Sequence, residues 1–218
     1  AFLQARELHI RLSSWNVDQL SVFLVDVDFV PCSNLHSVFH TETAKHVLKD
    51  EVVVVPAFEA VREDESGGLP TTMEELHGLY GGGKADSFDA GRFPQGHSST
   101  NFTKYWSLSL AENSGTTVDE DSVSGDYFWN KRYEVQHTEG FEPYVVMAAN
   151  KVPLYDERFQ GYGLNKIIHL ASVATFVSRT FMVLPGVFLV AATHAPSNEF
   201  RRIYGKDKSS TSLDLFES

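Results

Sequence analysis

Two acids, spaced two residues apart, carry the clearest chemistry in this chain. Asp26 and Asp28 lie in the segment Ser21-Val22-Phe23-Leu24-Val25-Asp26-Val27-Asp28-Phe29-Val30-Pro31. The apolar residues predict a strand over Val22 to Val27. On an extended chain, residues i and i+2 share a face. Two carboxylates on one face repel each other. A divalent cation takes oxygen ligands and relieves that repulsion, so the pair points to a metal that holds a phosphate ligand. A lone Asp at a strand end can also cap the following helix, which is the structural reading of the same residues.

The elements around the pair alternate between strand and helix. Residues 2–12 have apolar positions at helical spacing, and so do residues 35–48 after a cap at Ser33 or Asn34. Val52-Val53-Val54-Val55 shows no alternation and predicts a strand buried on both faces. Thr72 and Glu75 form a capping box ahead of a short helix. Gly81-Gly82-Gly83 opens a loop to Gly96 that lacks the phosphate-loop pattern. Residues 111–125 are polar and acidic and read as a disordered insertion. Strands follow at Tyr133 to Gln136 and Tyr144 to Ala148, then a helix from Leu164 to Phe176. Two more strands flank Pro185-Gly186, and residues 206–218 form a polar tail. This pattern predicts an α/β domain over residues 1–205, with Asp26 and Asp28 at the carboxyl end of a strand, where open sheets bind ligands.

Composition narrows the partners. The chain has 218 residues, is 42% hydrophobic and 12% aromatic, and carries a net charge of -11. That is enough chain for one sizeable core. The negative charge argues against nucleic acid and suits a sugar or a metal-bridged nucleotide. No apolar run approaches the roughly 20 residues of a membrane span. Cys32 is the single cysteine, so no internal disulfide forms; a packed thiol is expected. Asn101-Phe102-Thr103 has the form of a glycosylation sequon.

Four strings in order extend the reading. They are Phe23-Leu24-Val25-Asp26-Val27-Asp28-Phe29-Val30-Pro31, Gly96-His97-Ser98-Ser99-Thr100-Asn101-Phe102-Thr103-Lys104, Phe141-Glu142-Pro143-Tyr144-Val145-Val146, and Tyr155-Asp156-Glu157-Arg158-Phe159-Gln160-Gly161-Tyr162-Gly163-Leu164-Asn165-Lys166. The last continues with Leu184-Pro185 and His194-Ala195-Pro196-Ser197. Together they resemble glycosyltransferase family 49, the family of the LARGE and β-1,4-glucuronyltransferases. The chain departs from the family pattern at Ser99, Tyr105 and Ala191.

The resemblance implies a GT-A-like mixed sheet flanked by helices. It also implies a Mn2+-dependent, inverting transfer of glucuronic acid or a related sugar from a UDP-sugar to a glycan acceptor. Asp26 and Asp28 match the family's DxD motif and His194 matches its C-terminal metal ligand. Two carboxylates with one imidazole suit Mn2+ better than Ca2+. Inverting transfer needs a general base; Asp156 and Glu157 stand where GT-A enzymes place acceptor-side acids, and Glu142 is a further candidate. His97, Asn165 and Lys166 are candidate donor contacts, with Lys166 able to meet a phosphate. By the same resemblance the parent is a type II membrane protein of the Golgi lumen. A GT-A domain begins with a strand-helix-strand half that holds the nucleotide base. One short helix precedes the acidic strand here, so the sequence is expected to lack that half.

Two other readings use the same residues. Asp-Val-Asp-Phe-Val also fits the motif of haloacid dehalogenase-like phosphatases, with Asp26 as nucleophile and Asp28 as acid/base. A degenerate transferase domain that binds glycans or partners without catalysis is the other.

Overall fold

The computed structural model describes residues 20–61, 68–110, 125–158 and 164–193. The expected helix over residues 2–12, most of the acidic insertion at 111–125, the polar tail and His194 all lie outside the described residues. The strands are β1 (Ser21–Phe23), β2 (Phe29–Pro31), β3 (Val52–Val55), β4 (Ala57–Ala60), β5 (Ala85–Ser87), β6 (Tyr133–Gln136), β7 (Tyr144–Ala148), β8 (Thr180–Val183) and β9 (Leu189–Ala192). The α-helices are α1 (Leu35–Phe39), α2 (Glu42–Val47), α3 (Met73–Gly81), α4 (Gln95–Ser98), α5 (Phe102–Ser109), α6 (Gly125–Lys131) and α7 (Asn165–Phe176).

Among the described residues, the strands form a five-stranded sheet, β1-β7-β3-β8-β6, and a four-stranded sheet, β2-β9-β4-β5. Both are mixed. β3 runs parallel to β8, and β4 runs parallel to β9, whereas the other pairs are antiparallel. Mixed sheets flanked by helices give the α/β, GT-A-like architecture expected from the sequence. All four valines of β3 are buried, as a run of β-branched residues without alternation requires. Helix α3 begins with the expected capping box: Glu75 N–H donates to Thr72 Oγ1 at 3.2 Å, and Thr72 N–H donates to Glu75 Oε2 at 3.1 Å.

Three chain segments leave the first sheet and enter the second along one seam. β3 passes into β4 at Pro56, which has no N–H to continue a ladder. β8 passes into β9 through Pro185-Gly186, and β1 passes into β2 through the acidic segment. Backbone hydrogen bonds stitch the seam: Leu184 N–H to Val54 O at 3.1 Å, Leu189 N–H to Pro56 O at 2.9 Å, and Cys32 N–H to Phe188 O at 3.0 Å.

The seam corrects the expected strand over Val22 to Val27. β1 ends at Phe23, and Asp26 to Phe29 form a turn closed by Phe29 N–H to Asp26 O at 3.3 Å. Asp26 and Asp28 therefore do not project from one face of a strand. They lie on a turn that carries the chain from sheet to sheet. The expected helix over 35–48 is two helices, because Thr41 caps the second, with Ala44 N–H donating to its Oγ1 at 3.1 Å. The loop expected from Gly81 to Gly96 contains β5 and the start of α4. The buried strand β4 and helices α5 and α6 were not anticipated.

Among the described residues, no helix is long and apolar enough to cross a membrane. Cys32 is buried, and burial pushes its thiol pKa up to about 12.

Candidate active site

The acidic turn is exposed at Asp26, Val27 and Asp28, while Phe29 immediately after it is buried. Beneath it lies Tyr144, the first residue of β7, only 1% exposed. Its hydroxyl donates to Asp26 Oδ2 at 2.7 Å. The ring packs against Phe29 at a centroid distance of 4.7 Å, and the His97 ring lies 6.0 Å away, nearly parallel. Lys166 Nζ stands 3.4 Å from the Tyr144 ring centroid, a cation–π contact.

Lys166 comes from the first turn of α7 and is half-buried. Burial lowers its pKa, against the pull of Asp26, Glu142, Asp89 and Asp28. Four carboxylates thus share the field of one lysine. Glu142 is half-buried beside them; burial raises its pKa, Lys166 lowers it, and Asp89 and Asp26 add to the rise. Its backbone N–H donates to Gly96 O at 2.9 Å. That approach requires Gly96: a Cβ there would meet Phe93 Cδ1 at 2.7 Å and Glu142 Cγ at 3.2 Å. Asp89, at φ 57°, pairs with Arg92, which also reaches Glu59 at 3.6 Å.

His97 is 3% exposed, with its ring edge-on to Phe88 at 5.6 Å. Its Nε2 has no hydrogen-bond partner among the described residues. Burial, with the Lys166 charge, lowers its pKa to about 3. It is therefore a neutral imidazole at physiological pH and cannot offer a positive charge to phosphate.

This makes a pH prediction. The folded pKa lies below the unfolded value of about 6.5, so the unfolded chain binds more protons between those values. Stability from this group is complete above about pH 6.5 and is lost as pH falls toward 3. The unfolding free energy of wild type, read from urea denaturation, should fall with acid by up to ~1.4 kcal/mol per pH unit from this group. His97→Phe should flatten that slope. His137 and His169, also lowered by burial, leave a residual slope. Equal slopes in the two proteins would count against a buried neutral His97.

The remaining sequence candidates are spread differently. Asp156 is gripped by Arg158, with Nε to Oδ1 at 2.9 Å and Nη2 to Oδ2 at 2.6 Å. That pair holds the Asp156 carboxyl at about 2. Glu157 is exposed on the next turn, and Asn165 is exposed at the start of α7. Gly161, Tyr162, Gly163 and His194 lie outside the described residues. Asp26, Glu142, Lys166 and His97 are therefore brought together; the contacts of Asp156 run to Arg158 instead. Tyr144 and Asp89 were missed. Tyr144 lay within a motif string, but a tyrosine in an apolar run reads as core. Only its hydroxyl partner reveals more.

Among the described residues, no group of three His, Cys, Asp or Glu side chains is placed to hold a metal ion. Asp26 and Asp28 still fit a hard cation of the Mg2+ or Mn2+ kind, which is commonly held by one or two carboxylates plus substrate phosphates.

A sequence model described as "Glycosyl-transferase for dystroglycan" matches residues 15–202. The chain belongs to this glycosyltransferase family. It is similar to the xylosyl- and glucuronyltransferase LARGE2 of Rattus norvegicus, 32% identical over 185 residues, covering 83% of this chain and 23% of that protein. It is 31% identical to LARGE2s of Danio rerio over 184 residues, covering 84% and 21%. It is 30% identical to LARGE1 of Homo sapiens over 178 residues, covering 81% and 20%. The chain thus spans under a quarter of the length of these relatives. The phosphatase reading falls with this membership. It also fits the topology poorly, since among the described residues β1 is an antiparallel edge strand.

Proposed function

We propose that the chain forms part of a metal-dependent, inverting glycosyltransferase. In this reading it moves glucuronic acid or a related sugar from a UDP-sugar to a glycan acceptor. The observation that carries it is the exposed Asp26–Asp28 turn beside Tyr144, Lys166 and Glu142 in a member of this family. Asp26 and Asp28, with His194, would hold Mn2+. When bound, the ion neutralises charge on the departing diphosphate. Lys166 adds a second, fixed positive charge on that side of the site. Asn165, exposed at the start of α7, is a hydrogen-bonding partner for sugar hydroxyls, while the buried, neutral His97 supports the site by packing beside Tyr144. The xylosyl- and glucuronyl- names of the relatives support the sugar class; a Golgi-lumen setting with a membrane-anchored parent belongs to the same proposal.

The base must take the acceptor hydroxyl proton as the oxygen attacks the anomeric carbon and the bond to UDP breaks. A single displacement inverts that carbon. Glu142 suits this role better than Asp156. Burial raises the affinity of Glu142 for a proton, whereas the Arg158 grip depresses that of Asp156, and efficient bases lie nearer the working pH. Glu157 is the remaining candidate.

The test is UDP release by the full-length protein from a panel of UDP-sugars, with Mn2+ and an acceptor glycan. Glu142→Gln should lower kcat by ~100-fold or more with little change in donor KM. The acid limb of the pH–rate profile should disappear with it. No UDP release from any donor would favour the non-catalytic, glycan-binding reading. A normal rate in Glu142→Gln would move the base to Glu157.

A further inference from the structure

We propose that Tyr144 is a positioning residue for the cation site: its hydroxyl sets the orientation of the Asp26 carboxylate. The inference rests on the reading of Asp26 as a cation ligand.

The geometry follows from strand register. Phe23 pairs with Val146, and Leu24 N–H donates to Val145 O at 3.4 Å. Continued one step, that register brings the incoming chain alongside Tyr144 just where it turns away toward β2. Asp26 is exposed, so packing restricts its rotamer little among the described residues. Tyr144 is the opposite case. Its ring is packed by Phe29 and capped by Lys166 Nζ, with His97 stacked nearby. A fixed donor therefore meets a movable acceptor, at 2.7 Å.

The donation takes one lone pair of Oδ2; a carboxylate has about four lone-pair sites, so others stay available for a cation. It also serves the tyrosine, whose buried hydroxyl needs a partner. Holding one carboxylate in place before the cation arrives removes part of the cost of ordering two repelling acids on an exposed turn. Partners that orient metal ligands in this way typically matter by ~10–100-fold in metal affinity.

Tyr144→Phe deletes the hydroxyl and keeps the ring contacts. Its former partner is solvent-exposed, so water can replace the lost donor and the fold should persist. Mn2+ affinity is read from the free-ion electron paramagnetic resonance signal, titrated in full-length protein with UDP present. The variant should bind Mn2+ ~10-fold or more weakly. UDP binding without metal and the melting temperature of the metal-free protein should stay close to wild type. In turnover, KM for Mn2+ should rise while KM for acceptor does not, a split that a general packing defect would not give. Asp26→Glu repeats the test without touching the buried ring. It keeps the charge but moves the carboxylate past the hydroxyl, and it should lose affinity to a similar degree. Wild-type Mn2+ affinity in both variants, with affinity lost in Asp26→Asn, overturns the positioning role alone. Failure of the wild type itself to bind Mn2+ with UDP overturns the cation reading beneath it.

Discussion

Asp26→Asn and Asp28→Asn are each expected to lower sugar transfer by about 1000-fold, with the fold intact. The charge stabilisation a cation gives a departing diphosphate is several kcal/mol, and about 4 kcal/mol is three decades in rate. On the proposed metal reading, either substitution removes one of the two carboxylates that the described part of the site offers the cation. The fold should tolerate both, because Asp26, Val27 and Asp28 are exposed on a turn and contribute nothing to the core. In Asp26→Asn the new amide oxygen can still accept from the Tyr144 hydroxyl. Relief of carboxylate repulsion should leave the metal-free melting temperature equal or slightly raised. Chelation of wild type should bring its rate down to that of the variants and leave the variants' own rates unmoved. Wild-type turnover in Asp26→Asn would remove the acidic turn from the mechanism.

The acids were legible in the sequence; their setting was not. A hydrophobic run ending in Asp-Val-Asp looks like a strand with two acids on one face. The chain instead leaves its sheet after Phe23, because β2 must pair with β9 in the other sheet. Nothing in local periodicity records a change of sheet. Elements with a clear pattern were readable: the uniform valines of β3, the apolar run of β7, the alternation of β6 and the apolar spacing of α7. Short elements without such a pattern, such as β2, β5 and α4, show no period. The sequence offers Asp156 and Glu157 as candidate bases with Glu142 as a further one; the Arg158 grip on Asp156 and the burial of Glu142, which distinguish those two, are visible only in the structure.

Gly186→Ala is expected to cost about 3 kcal/mol or more of stability, read as a lower urea midpoint. Gly186 has φ 75°, a conformation that costs a residue with a Cβ ~1 kcal/mol or more. The added methyl would also overlap one edge of the Phe128 ring, and overpacking typically costs ~1–3 kcal/mol. Neither side can yield freely. Gly186 N–H donates to Ser109 Oγ at 3.0 Å, and its carbonyl accepts from Asn34 Nδ2 at 3.1 Å. Phe128 is itself held in the core. Gly186→Ala with Phe128→Leu, which vacates part of that space, should recover some of the loss. A midpoint unchanged by Gly186→Ala would show that the seam at Pro185-Gly186 relaxes without penalty.

The seam also dictates an order of assembly. β2, which follows the acidic turn, has its ladder partner in β9, with Phe29 opposite Ala191. The contacts that fix this region span most of the chain: Tyr144 to Asp26 over 118 positions, Asn34 to Gly186 over 152, and Phe188 to Cys32 over 156. Pairings so distant in sequence form slowly, because a long loop must close before they are rewarded. On a ribosome, the acidic turn emerges well before β9, the last described strand, and waits for it before its ladder exists. A chain stalled before Leu189 would carry both aspartates and yet lack the ladder that shapes the turn between them.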